Sequence, residues 1–190
     1  MGLFGSIFNK EKTHKGYFEL SIAKVIRLND SSVKIEFNIP EALQSKFSFI
    51  AGQFINVLIQ INGKEERRSY SICSAKEEIL AIGVKRVQGG VVSNWFNNEA
   101  KEGTNIFISE PQGNFKVPDG SKNIATIAAG SGITPILSVL KSKNDVPNMH
   151  LLYGNRSKQE TMFIEEINNM DYINKTFFLD TNPGENAIGG

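Results

Sequence analysis

Six short stretches in the first two-thirds of the chain carry a strand-like pattern of apolar and polar positions. They are "YFELSIAKVIRL" (17–28), "SVKIEFNIP" (32–40), "QFINVLIQI" (53–61), "RRSYSICS" (67–74), "ILAIGVKRV" (79–87) and "NIFISEP" (105–111). Each is rich in β-branched or aromatic residues, and Asn-Asp, Ala-Gly, Asn-Gly and Lys-Glu pairs separate them as turns. Six such strands predict a closed or nearly closed antiparallel barrel. One helical segment interrupts them: "VVSNWFNNEA" (91–100) places Val92, Trp95 and Phe96 at i, i+3 and i+4.

Beyond Pro118 and Gly120 the pattern changes. "NIATIAAG" (123–130) reads as a continuous apolar strand, "TPILSVLKSK" (134–143) as a helix with proline just inside its start, and "NMHLLYG" (148–154) as a strand. "QETMFIEEINNM" (159–170) reads as a second helix and "KTFFLDT" (175–181) as a third strand. This βαβαβ order predicts a parallel sheet covered on both faces. The division expected is a tail over 1–15, a barrel domain over 16–118 and the α/β segment over 119–190.

Composition sharpens this only at the edges. The 190 residues are 40% hydrophobic and 22% charged, ordinary for a globular chain, and 21 basic against 20 acidic side chains leave a net charge of +1. No net field therefore draws the chain to nucleic acid or to an anionic membrane, and any anion site must be local. Cys73 is the sole cysteine, which rules out an internal disulfide and a cysteine-ligated zinc or iron–sulfur cluster held by this chain alone. A reducing cytoplasm fits that usage. No apolar run approaches the ~18 residues of a membrane span. Gly2 to Ser6 match the short myristoylation pattern, which also recurs by chance.

Three stretches carry candidate chemistry. "RRSYSICS" sets two fixed positive charges beside Tyr70 and Ser71, where a plain core strand would alternate apolar and solvated residues, and looks built to hold something flat and anionic. In "AAGSGITPIL" (128–137), Gly130 and Gly132 permit a tight turn, and Thr134-Pro135 opens a helix whose free N–H groups attract phosphate. A plain strand-to-helix turn explains that stretch equally well. In "GGVVSNWF" (89–96) the N–H groups of Val91, Val92 and Ser93 could meet a diphosphate, or Ser93 could belong to an ordinary serine-capped helix.

Taken in order, "RRSYS", "GVKRV", "GGVVSNW", "EPQGNF", "AAGSGITP" and "LLYGNRS" resemble the ferredoxin–NADP⁺ reductase superfamily over roughly residues 15–190. Within it the chain looks most like oxygenase reductase components of the phenylacetyl-CoA oxygenase reductase type, which carry a plant-type ferredoxin domain at the C-terminus. The fold this implies is a six-stranded antiparallel Greek-key FAD-binding barrel followed by the first half of a parallel-sheet NAD(P)-binding domain.

The resemblance implies roles by position. Arg68 would pair with the FAD diphosphate, while Tyr70 stacks on the isoalloxazine ring and Ser71 meets the flavin edge, these two being the catalytic pair. Arg67 would face solvent. Val84 and Lys85 would run along the ribityl and adenosine side, and Gly90, Val91, Val92 and Ser93 would cradle the diphosphate. Pro111, Gly113 and Phe115 match a turn beside the flavin, or a purely structural one. Gly130, Ser131, Gly132 and Thr134 would touch the nicotinamide dinucleotide.

Arg156, followed by Ser157 and Lys158, could accept a 2′-phosphate, favouring NADPH over NADH, or lie free on the surface. Electrons would pass from NAD(P)H through FAD to a ferredoxin-type 2Fe-2S domain and an oxygenase. A non-catalytic nucleotide-binding or assembly module on the same barrel is the other reading. Members of the superfamily continue past three strands of the α/β domain, so an incomplete reductase is expected, with strand 123–129, central in the family order 3-2-1-4-5, left as an apolar edge.

Overall fold

The computed structural model describes residues 14–179 and a two-residue strand at 188–189; residues 1–13 of the expected tail, with their myristoylation pattern, lie outside the described residues. Six strands form the first unit: β1 (Tyr17–Asn29), β2 (Ser32–Phe37), β3 (Phe54–Ile61), β4 (Lys64–Ser71), β5 (Ala81–Lys85) and β6 (Asn105–Ser109). Their spatial order is β4-β3-β6-β1-β2-β5, antiparallel throughout. The two edges of this sheet meet through an Ile72–Ile82 bridge, and the Cys73 N–H donates to the Ala81 carbonyl at 2.9 Å. The curled sheet is thereby closed at one end into the expected barrel, and edge strands are no longer left open there.

Helix α1 (Val91–Asn98) sits between β5 and β6 in the chain and buries Val92 and Phe96. Their side chains join Phe37, Ile55, Ile72, Ile82 and Ile108 in the barrel core. Each such residue contributes about 1.5–3 kcal/mol through burial.

The second unit runs β7 (Asn123–Ala129), α2 (Ile133–Ser142), β8 (Asn148–Asn155), α3 (Ile164–Asn168), β9 (Asn174–Leu179) and β10 (Ile188–Gly189). The sheet order is β10-β9-β8-β7, with β7, β8 and β9 parallel and β10 antiparallel to β9. β7 is the edge, as expected, and the added strand β10 was not foreseen.

Three expectations are corrected. β7 alternates between buried and exposed residues where a continuous buried run was predicted, and Ile127 is 79% exposed. Among the described residues, β7 is therefore covered on one face only. Strands β7, β8 and β9 step in one direction across the sheet, so two right-handed crossovers place α2 and α3 on the same side.

The second correction is to the helix expected over 159–170, of which only Ile164–Asn168 is helical. Phe163 takes a left-handed backbone (φ 58°, ψ 22°) and stops the helix from extending backward. The third is to β4, which begins at Lys64, so Arg67 and Arg68 lie inside the strand rather than at its start.

The two units share a packed boundary. Cys73 and Ala81 of the barrel belong to the core formed by Ile133, Leu137 and Phe163. The Ser138 hydroxyl donates to the Ser74 carbonyl at 2.7 Å. Lys141 contacts Glu78 of the barrel at 3.0 Å and also Glu166 of α3. Ser138 and Lys141 fall at i and i+3, so one face of α2 makes both contacts.

Candidate functional site

A cleft of about 450 Å³ lies between the units. Arg68, Ser69, Tyr70 and Ser71 of β4, Gly83 and Lys85 of β5, and the start of α1 at Gly90–Ser93 line one side. Ser131, Gly132, Thr134 and Pro135 close the other. A second cleft of about 1120 Å³ adjoins it, reached by Lys85, Val87 and Ser131 from both, and lined further by Arg86, Gly130, Asn155, Arg156 and Glu160.

Both helices that face the smaller cleft begin without a side-chain cap. Gly90 is the N-cap of α1 and Gly132 that of α2, and no side chain caps the N–H groups of either start. The first N–H groups of α1 are free for a ligand and its dipole favours negative charge; at α2 the Ile133 N–H is already bonded to the Gly130 and Ser131 carbonyls and Pro135 has none, so the phosphate-attracting helix start expected there is not found. Gly90 is also required sterically, since a Cβ there would lie 2.6 Å from Ser93 Oγ and 3.1 Å from Val87 Cβ. Ser93 is buried and accepts the Val87 N–H at 3.2 Å, fixing the loop ahead of α1 rather than capping the helix.

Arg68 is held in place before any ligand arrives. Its Nη2 lies 3.3 Å from the Glu66 carboxylate and its Nη1 donates to the Arg67 carbonyl at 2.6 Å, while the side chain remains half exposed. Arg67 leans across Tyr17, with its guanidinium carbon 5.1 Å from the ring centroid, in keeping with the expected outward direction. Tyr70 meets Phe96 edge to face at 5.6 Å, so α1 fixes its ring plane. Burial pushes the Tyr70 hydroxyl up to about 12, with Arg68 pulling weakly the other way, and the phenol stays protonated at neutral pH.

On the far side, the Thr134 hydroxyl donates to the Ser131 carbonyl at 3.1 Å, and the Tyr153 hydroxyl donates to the Gly130 carbonyl at 2.9 Å. These bonds hold the turn over 130–134, in which Gly130 adopts φ 50°. Lys85 forms an ion pair with Glu160 at 3.1 Å across the mouth of the cleft.

The structure thus gathers Arg68, Tyr70, Ser71, Lys85, Gly90, Val91, Val92, Ser93, Ser131, Gly132 and Thr134 around one cleft, with Gly130 and Arg156 in its neighbour. Val84 is not at the surface of either cleft: its side chain is 1% exposed in the barrel core, and its carbonyl accepts from Asn97 at 3.4 Å. Gln112 pairs with Phe54 in both directions, at 2.8 and 2.9 Å, so the Pro111–Phe115 turn extends the barrel ladder, and it lines neither cleft. Sequence reasoning passed over Gly83 and Glu160. An isolated glycine inside a strand signals close backbone approach and could have marked Gly83; Glu160 sits among other surface-like charges and carried no such signal.

A barrel joined to a parallel sheet, with the uncapped start of α1 and a glycine-rich turn facing each other across one cleft, defines a dinucleotide-binding flavoprotein architecture. Residues 19–117 match the sequence profile of the oxidoreductase FAD-binding domain, and residues 126–185 that of the oxidoreductase NAD-binding domain. The chain belongs to this family of FAD-binding and NAD-binding oxidoreductase domains.

It is 33% identical over 154 residues to one of the subunits of 1,2-phenylacetyl-CoA epoxidase from Escherichia coli, covering 77% of this chain and 43% of that protein. It is 32% identical over 156 residues to the ferredoxin reductase component of 3-ketosteroid-9-alpha-monooxygenase of Mycobacterium tuberculosis, covering 76% of this chain and 44% of that one. The chain therefore spans less than half the length of these relatives. The fold is also that of the FAD/NAD-binding domain of nitric oxide dioxygenase from Vibrio cholerae, with a TM-score of 0.81 and 20% identity over 90% of this chain and 78% of that one.

Proposed function

We propose that the chain is the flavin-reducing part of an NAD(P)H-dependent reductase. The observation that carries this reading is the convergence of the uncapped start of α1 and Arg68 on one cleft, whose other wall is the Ser131–Thr134 turn. FAD bears a diphosphate, and a donor set of free backbone N–H groups plus a pre-oriented guanidinium suits it. The residues present fit the group, and a nearly neutral protein can bind it because the positive field is local. The barrel over 16–118 would hold FAD, and 119–190 would contribute the NAD(P) side.

When bound, FAD supplies an acceptor for the nicotinamide hydride and a donor of single electrons. The residues then do the positioning. Arg68 and the N–H groups of Val91, Val92 and Ser93 hold the diphosphate, while Gly90 keeps the backbone close. Tyr70 offers its ring, fixed by Phe96, as a stacking face worth about 0.5–1.5 kcal/mol beyond its buried area. Ser71 lines the same cleft and would offer its hydroxyl to the bound flavin. Ser131, Gly132 and Thr134 bring the nicotinamide side across the gap.

Arg156 is an exposed cation in the adjoining cleft and favours the 2′-phosphate of NADPH over NADH. The ferredoxin reductase component among the relatives, and a similar solved structure, phthalate dioxygenase reductase, described as passing electrons from pyridine nucleotides to [2Fe-2S], support an electron acceptor of the ferredoxin type, a 2Fe-2S domain serving an oxygenase. One buried cysteine and no helix long and apolar enough to cross a membrane, among the described residues, support a cytoplasmic setting. Reduction of the FAD-loaded protein by NADPH and by NADH in stopped flow tests the reading. NADPH should react faster at low concentration, and Arg156→Ala should remove the difference; no reduction by either nucleotide would overturn the proposal.

A further inference from the structure

We infer that Gly83, Thr134 and Phe163 form a spacer that sets the gap across the cleft, an inference that rests on the function proposed above. β5 is otherwise built of residues with full side chains, and a glycine inside a strand weakens it. Its presence calls for a steric reason. A Cβ on Gly83 would lie 2.7 Å from Thr134 Cγ2, 2.9 Å from Phe163 Cζ and 3.0 Å from Phe163 Cε2. Both neighbours come from the other unit, so the barrel and the α/β segment meet here, and Gly83 itself lines the cleft.

Neither neighbour is free to retreat. Thr134 is buried, and its hydroxyl is committed to the Ser131 carbonyl, which leaves its methyl group toward Gly83. Phe163 is 4% exposed and holds a left-handed backbone that a side chain with a Cβ rarely adopts. The other non-glycine residue with positive φ among those described is Asn62, which stands before Gly63 in a hairpin turn where that conformation is ordinary. Phe163 has no such excuse: its backbone turns the ring onto β5 while starting α3 one residue later. Strain held by dense packing beside a cleft points to a geometric task.

That task is spacing. β5 is bridged to the end of β4 at Ile72–Ile82, so Gly83 moves with Tyr70 and Ser71. Thr134 moves with Ser131 and Gly132 at the start of α2. The contact therefore fixes how far the nicotinamide side stands from the flavin side. Gly83 and Phe163 act as positioning residues, through their contact with each other and with Thr134.

The test compares the full chain with Gly83→Ala, the double variant Gly83→Ala/Thr134→Ser, and Phe163→Leu. Gly83→Ala should retain FAD, whose holding groups sit on the barrel, yet its flavin reduction rate at saturating NADPH should fall at least ~10-fold, since ~1 Å of misplacement can cost ~100-fold. The half-saturating NADPH concentration should change much less, and the long-wavelength absorbance induced by NADP⁺ should weaken. Removing the opposing methyl in the double variant should restore part of the rate.

Hydrogen exchange of the cofactor-free protein reads the same contact without any reaction. Amides over 81–85 and 133–137 should exchange faster in Gly83→Ala and in Phe163→Leu. Exchange and reduction rates equal to the parent's would overturn the spacer, as would a Gly83→Ala defect that Thr134→Ser leaves untouched. A parent protein that takes up FAD but is not reduced by NADPH would contradict the proposed function, and the exchange measurement alone would then decide the spacer.

Discussion

Arg68 enters the site already aimed, because Glu66, two residues earlier on the same strand face, holds its guanidinium at 3.3 Å. Little rotamer freedom remains to be lost when an anion arrives. A charged hydrogen bond contributes about 1.5–3 kcal/mol, so Arg68→Ala should weaken FAD binding at least ~10-fold, read by quenching of flavin fluorescence. Unchanged affinity would remove Arg68 from the site. Ser71→Ala should leave FAD bound and slow its reduction by NADPH in stopped flow; equal rates would remove Ser71 from the chemistry.

Buried phenols and the thiol set the alkaline limit of the fold. Burial raises Tyr70 and Tyr153 to about 12 from 10.0, and Cys73 to about 12 from 9.0. A folded value above the unfolded one means stability fully present below the unfolded value and lost as pH rises through the folded one. The melting temperature should therefore hold to about pH 9 and fall progressively between 9.0 and about 12. Cys73 should stay unreactive toward thiol reagents at about pH 8 until the protein unfolds. The arginine, tyrosine and serine of β4 were legible in the sequence because charge beside an aromatic breaks strand patterning. Gly83 and Glu160 were not, since their meaning lies in what faces them from the other unit.

At the scale of elements, strands were legible because period-two patterning survives wherever one face is buried, and β1, β2, β3 and β6 fall close to their predicted spans. β4 began early because "KEE" looks like a charged turn, yet Ile61–Lys64 and Gln60–Glu65 pair directly across the hairpin from β3. α3 was over-read for the opposite reason: "QETMFIEEINNM" has helical composition, but the Phe163 backbone satisfies a tertiary contact that local propensity cannot register. β7 read as buried on composition alone, and its alternation emerges only because α2 and α3 share one face. Its outer face exposes Ile127, which shares a surface groove with the exposed Phe115, and such an edge favours association. Ile127→Lys should lower the weight-average mass in sedimentation at high concentration without moving the flavin spectrum; an unchanged mass in a parent that self-associates would place the contact elsewhere.

Across the whole molecule, the two units act together only if their boundary is firm. Burial alone would lower the Lys141 ammonium, but Glu166 and Glu78 hold it above its ordinary 10.5. Burial likewise opposes the Glu78 carboxylate, while the Ala75 N–H and Lys141 bring it below 4.5. The lysine contribution is thus present below pH 10.5 and lost above it; the glutamate contribution is present above pH 4.5 and lost as pH falls. Lys141→Met strands two partly solvated carboxylates, and a loss of about 1–2 kcal/mol is expected at neutral pH, shrinking toward about pH 4, read by denaturant unfolding. A loss independent of pH would assign Lys141 a packing role only.

The central claim is that one cleft joins a flavin platform to a nicotinamide platform. Purified protein loaded with FAD, freed of excess cofactor and mixed anaerobically with NADPH, tests it most directly through the visible absorbance band of oxidised flavin. The account predicts a bound, yellow protein whose absorbance bleaches on addition of NADPH; a protein that retains no FAD, or one whose FAD stays oxidised under excess NADPH, would contradict it.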